Sequence, residues 1–255
     1  MKLAIITFPN TGSDTLLCNT IKNTLNSEVE YVRHTRTSLT DYDAILIPGD
    51  SPGDSPQTHA QNITSIVITA IKEAAQDNKP IIGIGYGFQI LMDIGLLRGR
   101  LHCEDDPWRI NRLTSLRVEN NSTIFTQLFR KRDNIDISTE NGHYYHADAA
   151  TLERLALRGE IVFTFQDRPE GTAESVAGIV GATGNVLGML PQPAGSTDFL
   201  VNGEGFKILL AVKKSVNKAK RMAMRETRKG RRAGRGCLGG VIEVVVDVVL
   251  EIIFS

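Results

Sequence analysis

The stretch "KPIIGIGYGFQIL", residues 79–91, decides the fold. Pro80 and the apolar Ile81, Ile82 and Ile84 lead into Gly83, Gly85 and Gly87, and an apolar, helix-like segment follows from Phe88 to Leu97. The pattern predicts a buried strand, a sharp turn and a helix. Strand–turn–helix elbows of this kind usually present a nucleophile at the apex. The apex here is Gly85, which has no side chain.

Working outward, strands are predicted at Leu3–Phe8, Val29–His34, Ala44–Ile47 and Ile81–Ile84, with helices over about Asp14–Leu25 and Ile63–Ala75. Asp14 stands where it would cap the first helix. Strands alternating with helices argue for an α/β fold with a mostly parallel sheet flanked by helices. Later come four short strands, in "LTSLRVENN" (113–121), "EIVFTF" (160–165), "SVAGIVG" (175–181) and "NVLGML" (185–190). "GATGN" (181–185) reads as the hairpin connection between the last two. A further helix is expected from Gly205 to about Arg225.

The chain has 255 residues, 41% of them apolar and 23% charged, which suits one sizeable α/β domain plus an extension. Its net charge of zero hides three regions. Residues 1–212 carry 18 Lys and Arg against 25 Asp and Glu; residues 213–235 carry 11 against 1; residues 236–255 carry none against 3. The expected division is therefore an acidic body over 1–212 and an extension over 213–255. In that extension a basic arm, Lys213–Arg235, invites an anionic partner: a nucleic acid, an anionic membrane or an acidic protein. It has no interleaved aromatic residues for base stacking. "KGRRAGRGCLGG" (229–240) reads as a flexible linker. "VIEVVVDVVLEIIF" (241–254) places Glu243, Asp247 and Glu251 on one face of a helix, while its β-branched residues favour a strand, and both conformations stay open.

Cys18, Cys103 and Cys237 are far apart, so neither a zinc site nor a disulfide framework is expected, and three lone thiols suit a reducing cytoplasm. "MKLAIITFPN" reads as a first strand rather than a signal peptide, and no apolar run reaches the roughly 18 residues of a membrane span. "HYYH" (143–146) holds two histidines three apart with no third ligand beside them, which is not a metal site on its own.

The elbow, with "AILIPG" (44–49), "VEYVRHT" (29–35), "LRVENN" (116–121), "GHYYHAD" (142–148) and "NVLGMLPQP" (185–193), resembles the class I glutamine amidotransferases. Within them it is most similar to the glutaminase subunits of phosphoribosylformylglycinamidine synthase, from purine biosynthesis. The resemblance runs from about Met1 to Val212. It implies a flavodoxin-like α/β fold, no cofactor, and partnership with a synthetase subunit. It also implies glutamine hydrolysis: a cysteine thiolate attacks the amide carbon, a histidine moves the proton, a glutamate orients the histidine, and backbone N–H groups bind the oxyanion.

Carried over position by position, the reactive groups are missing. The family's G-x-C-x-G-x-Q stands here as Gly83-Ile84-Gly85-Tyr86-Gly87-Phe88-Gln89, so glycine replaces the nucleophile. The family's P-H-P-E stands as Pro191-Gln192-Pro193-Ala194, so Gln192 replaces the histidine and Ala194 the glutamate. The oxyanion Gly-Gly stands as Gly49-Asp50, which brings an acid to where negative charge develops. The A-H-G-E-G segment appears as "STENG" (138–142), with Thr139 in place of its histidine. Gln89 falls on the family glutamine that helps hold the substrate. Cys18, beside Leu16 and Leu17, reads as a buried structural thiol rather than a replacement nucleophile. Cys103 lies beside acids that would raise its pKa, and Cys237 beside cations that would lower it.

Three functional readings follow. The first is a subunit of a purine-biosynthetic synthetase that has lost its triad and acts without hydrolysing glutamine. The second is an active amidotransferase working through unassigned residues. The third is a binding module that uses the basic arm.

Overall fold

The computed structural model describes residues 1–9, 15–49, 56–103, 112–139, 143–168, 170–190 and 205–233. Strand β1 (Lys2–Thr7) buries Leu3, Ala4, Ile5 and Ile6. Helix α1 (Thr15–Leu25) leads to β2 (Glu28–Arg33), and β3 (Ala44–Ile47) is buried throughout. Helices α2 (Pro56–Ile63) and α3 (Ile66–Gln76) precede β4 (Ile81–Ile84), again buried throughout, and α4 (Tyr86–Asp93). Then come β5 (Arg100–Cys103), β6 (Arg112–Val118), β7 (Asn134–Thr139), β8 (His143–His146), α5 (Ala149–Leu157) and β9 (Ile161–Phe165). Strands β10 (Val176–Val180) and β11 (Val186–Met189) and helix α6 (Phe206–Ala233) complete the chain order.

One nine-stranded sheet runs β2-β1-β3-β4-β11-β10-β9-β6-β7. The half from β2 to β11 is parallel. The half from β11 to β7 is antiparallel, with β9, β10 and β11 following one another in sequence and β6 pairing with both β7 and β9. The expected turn at 181–185 closes the β10–β11 hairpin, with Gly181 N–H donating to Val186 O at 2.8 Å.

Strands β1, β3 and β4 read as unbroken apolar runs because helices cover both their faces. Alternate residues divide between two cores. Leu3, Ile5, Leu46 and Ile82 meet Ile21 and Leu25 of α1 and Ile208, Leu209 and Val212 of α6. Ala4, Ile6, Ile45 and Ile47 meet Val67 and Ile71 of α3 and Phe88 and Leu91 of α4.

Three features depart from the sequence reading. The helix expected over Ile63–Ala75 begins at Ile66, and a separate helix, α2, precedes it where none was expected. Thr64 Oγ1 donates to Ala60 O (2.8 Å) and Ser65 Oγ to Asn62 O (2.6 Å), which satisfies carbonyls at the end of α2. Ser65, extended at φ −68°, ψ 155°, then starts α3. "HYYH" is a strand paired with β5 in a small separate sheet, with Tyr145 fully buried. Finally, α6, expected to end near Arg225, runs on through 229–233, the start of the expected linker. Ser215 and Val216 are buried, Lys213 Nζ donates to the carbonyls of Leu25 and Asn26, and Lys220 Nζ meets Asp43 Oδ2 at 2.7 Å. The Lys, Arg, Ala and Met of this stretch are strong helix formers, and tertiary anchoring of its first turns carries the helix onward. Asp14 and residues 234–255, with Cys237 and the acids at 243, 247 and 251, lie outside the described residues.

One tyrosine–carboxylate pair, a buried Tyr42 with an exposed Glu30, sets a pH limit. Tyr42 donates to Glu30 Oε2 at 2.7 Å. Burial, and then that bond, push the Tyr42 phenol up to about 12, while the bond holds the Glu30 carboxyl below its usual range. A folded pKa above the unfolded value of roughly 10 favours the protonated form. This contribution is therefore full below about pH 10 and is lost toward pH 12. Burial also raises Tyr86 and Tyr145, so the alkaline loss is shared. Between pH 9 and pH 11, the urea midpoint of Tyr42→Phe is expected to fall less than that of the unaltered chain. An equal fall would mean that Tyr42 does not contribute.

Candidate functional site

Buried on both faces, β4 must turn into α4 within a single residue. Gly85 makes that turn at φ 51°, ψ −110°, a conformation in which a side chain is strained. Its N–H donates to Met189 O at the end of β11 (2.9 Å), and its carbonyl accepts from Gln89 N–H (3.1 Å) in the first turn of α4. The elbow therefore keeps the positive φ of a nucleophile-bearing turn with no nucleophile on it.

The glycines on either side answer to contact. A Cβ on Gly83 would lie 2.5 Å from Leu91 Cδ1, and one on Gly87 would lie 2.2 Å from the Ile47 carbonyl oxygen. Helix α4 rests directly on β3 and β4, and this seat fixes the elbow whatever residue stands at its apex.

Gly49, buried at the end of β3, turns its carbonyl toward the elbow and accepts the Tyr86 N–H over a long 3.4 Å. In an elbow hydrolase, the amide after the apex is an oxyanion donor. Here that amide faces an acceptor. Gly49 and Gly85 are thus brought together as the resemblance implies, and Gln89, half-buried, stands one turn into the helix. Asp50, Gln192 and Ala194 lie outside the described residues.

Beside the elbow is a polar cluster that the sequence reading missed. Asn62 Nδ2 donates to the Tyr86 oxygen at 2.9 Å, and that oxygen is 3.0 Å from His59 Nδ1. His59 Nε2 is 2.9 Å from Asp93 Oδ2. The Asp93 carboxylate only accepts, so the neutral ring carries its proton on Nε2 and its Nδ1 accepts the Tyr86 hydroxyl proton. Burial raises the Tyr86 pKa, which keeps that proton in place. The cluster ties α2 to both ends of α4. One sequence signal was available: two polar residues three apart, His59 and Asn62, on one face of a short helix.

Asn62 is fully buried, and its Oδ1 has no partner among the described residues. Tyr86→Phe would leave its amide N–H groups unpaired as well. The expected cost is about 1–3 kcal/mol by urea unfolding, partly recovered by Asn62→Leu on the same chain. No cost in the single variant would mean that the cluster does not hold α2.

Elsewhere, Cys18 is half-buried with Sγ 3.6 Å from Val29 O, and burial raises its thiol pKa, which disfavours a thiolate. The His102 ring stacks on Tyr144 (5.4 Å between centroids) and lies 6.1 Å from that of His146. Among the described residues, no three His, Cys, Asp or Glu side chains are grouped for a metal, and no helix is long and apolar enough to cross a membrane.

Comparison with known proteins adds to this geometry. A model of the CobB/CobQ-like glutamine amidotransferase domain matches residues 2–204. A chain of the PurLQS structure from Thermotoga maritima is 29% identical, with a TM-score of 0.70 over 84% of this chain and 97% of that one. A glutamine amidotransferase from Thermotoga maritima is 14% identical, with a TM-score of 0.55 over 100% of each chain. The glutaminase domain of Trypanosoma brucei CTPS is 13% identical, with a TM-score of 0.54 over 84% of this chain and 94% of that one. These last two share the fold.

Proposed function

This chain belongs to the CobB/CobQ-like glutamine amidotransferase family, and we propose that within that family it is a subunit that does not hydrolyse glutamine. The observation that carries the reading is Gly85, at the apex of an intact elbow and without a side chain. Hydrolysis requires a nucleophile there, a base to deprotonate it and donors for the oxyanion. Glycine supplies no nucleophile. Gln192, at the histidine position, has an amide that takes no proton at neutral pH, and Ala194 orients nothing. The Tyr86 N–H, turned to Gly49 O, is a poor oxyanion donor.

The likeness to a chain of PurLQS supports the partner. In this reading the chain docks on a synthetase subunit of phosphoribosylformylglycinamidine synthase in purine biosynthesis and supports or regulates a reaction fed by free ammonia. Its partner does the chemistry; this chain contributes a folded surface. The test is synthetase turnover in the complex with glutamine or with ammonium as nitrogen donor. Product from ammonium alone is expected. Glutamate released from glutamine would overturn the reading and favour an active amidotransferase working through other residues.

A further inference from the structure

Helix α6 carries cations of two kinds. Lys213 and Lys220, two turns apart, are bonded to the body at Leu25, Asn26 and Asp43. Lys214, Lys218, Arg221 and Arg225 follow the four–three–four spacing that aligns residues along one stripe of a helix. At about 100° per residue, this stripe lies on the far side from buried Val212 and Val216. All four are exposed, and none has an ion-pair partner among the described residues. Met224, Arg225, Glu226 and Thr227 are four exposed positions in a row, a full turn, so the helix there has no neighbour on any side among the described residues. The same spacing continues in the sequence at Arg228 and Arg232.

We propose that this ridge binds the phosphate backbone of a nucleic-acid duplex. It is a straight row of a single sign, spanning about 16 Å from Lys214 to Arg225 at 1.5 Å per residue. Glu226, the one acid within 213–235, falls about a third of a turn away from it. A duplex presents one negative charge per ~1.7 Å of axis, and its major groove, ~12 Å wide, admits a helix. Three features separate this partner from the others. The ridge has no aromatic residue on which single-stranded bases would stack. Beside it, Met224 is the one exposed large apolar side chain of this helix among the described residues, too little to enter a membrane interface. Protein surfaces usually intersperse both signs rather than offer a matching row of one. The acidic body, with 18 cations against 25 acids over residues 1–212, repels a polyanion and confines binding to the helix. The inference does not depend on the amidotransferase reading.

The test is fluorescence anisotropy of a labelled DNA duplex of about 24 base pairs with the full chain, from about 50 to 200 mM salt. Four phosphate contacts predict a log–log salt slope near −3.6, about a hundredfold loss of affinity over that range. K214Q/K218Q/R221Q/R225Q is expected to weaken binding at least ~10-fold at the lower salt and to flatten the slope by about 3–4. The charge-matched body variant K22Q/K72Q/R130Q/K131Q, altered at exposed sites, is expected to bind like the unaltered chain, and circular dichroism checks that both variants fold. Failure of the full chain to bind the duplex overturns the proposal, as does equal weakening by the two variants. Binding to polyglutamate as tight as to DNA would reassign the ridge to an acidic protein. Binding to phosphatidylserine vesicles as tight as to DNA would reassign it to a membrane.

Discussion

Glutamine incubated with this chain is expected to stay glutamine. Losing one member of a hydrolytic triad costs on the order of 10⁴-fold in turnover for the orienting acid to 10⁶-fold for the nucleophile or base. In the proposed reading Gly85, Gln192 and Ala194 stand at the three reactive positions, so glutamate release should not rise above the buffer blank. Gly85→Cys/Gln192→His/Ala194→Glu should restore the chemistry, but slowly. The Tyr86 N–H faces Gly49 O, and in the proposed reading Asp50, next in sequence, puts an acid at the family's oxyanion Gly-Gly. A single oxyanion donor is worth about 10²–10³ in rate, and adding Asp50→Gly, which removes a like charge from beside the developing oxyanion, should raise the rate by up to about that factor. The new cysteine must adopt φ 51°, which should cost the restored chain about 1–3 kcal/mol of stability. Turnover in the unaltered chain would mean that a nucleophile lies elsewhere. A triple variant as fast without Asp50→Gly as with it would clear the loop of any part in the loss.

The elbow was legible because its physics is local. Ile81, Ile82 and Ile84 beside Gly83, Gly85 and Gly87 can be read within one turn of chain, and β1, β3 and β4 announce themselves as unbroken apolar runs. What stayed hidden is non-local. The Tyr86–His59 bond joins residues 27 apart and the His59–Asp93 bond residues 34 apart, so neither leaves a periodic trace. Strands β5 and β8 pair across some forty residues, and their polar faces are only half covered. The break at Thr64 and Ser65 depended on side chains choosing carbonyls of their own helix, a competition that composition does not decide. Helix α6 outran its expected end because glycine and arginine were read as linker residues. Anchoring by Lys213 and Lys220 instead carried the helix past them.

Replacing Gly87 by alanine sets two forces against each other, and their sizes decide the result. Alanine is the better helix former by about 1 kcal/mol, so propensity alone predicts a more stable chain. The new methyl, however, would sit 2.2 Å from the Ile47 carbonyl oxygen and 2.8 Å from its carbon. Those atoms belong to the backbone of β3, which is held on one side by β1 and on the other by β4 through Ile47 and Gly83. A side chain would rotate away; this strand cannot move without breaking its pairing. Overpacking a rigid core costs typically 1–3 kcal/mol and occasionally more, and here the obstacle is main chain. We therefore expect Gly87→Ala to lose about 3 kcal/mol or more by urea unfolding, a large share of the roughly 5–15 kcal/mol of a whole domain. An equally or more stable variant would show that α4 does not rest on β3, and the geometry of the elbow would fall with it. The same contact explains how the scaffold tolerates Gly85. The turn is held by Gly83 and Gly87 against neighbouring strand and helix, so deleting the apex side chain removes chemistry and leaves the packing that shaped the site.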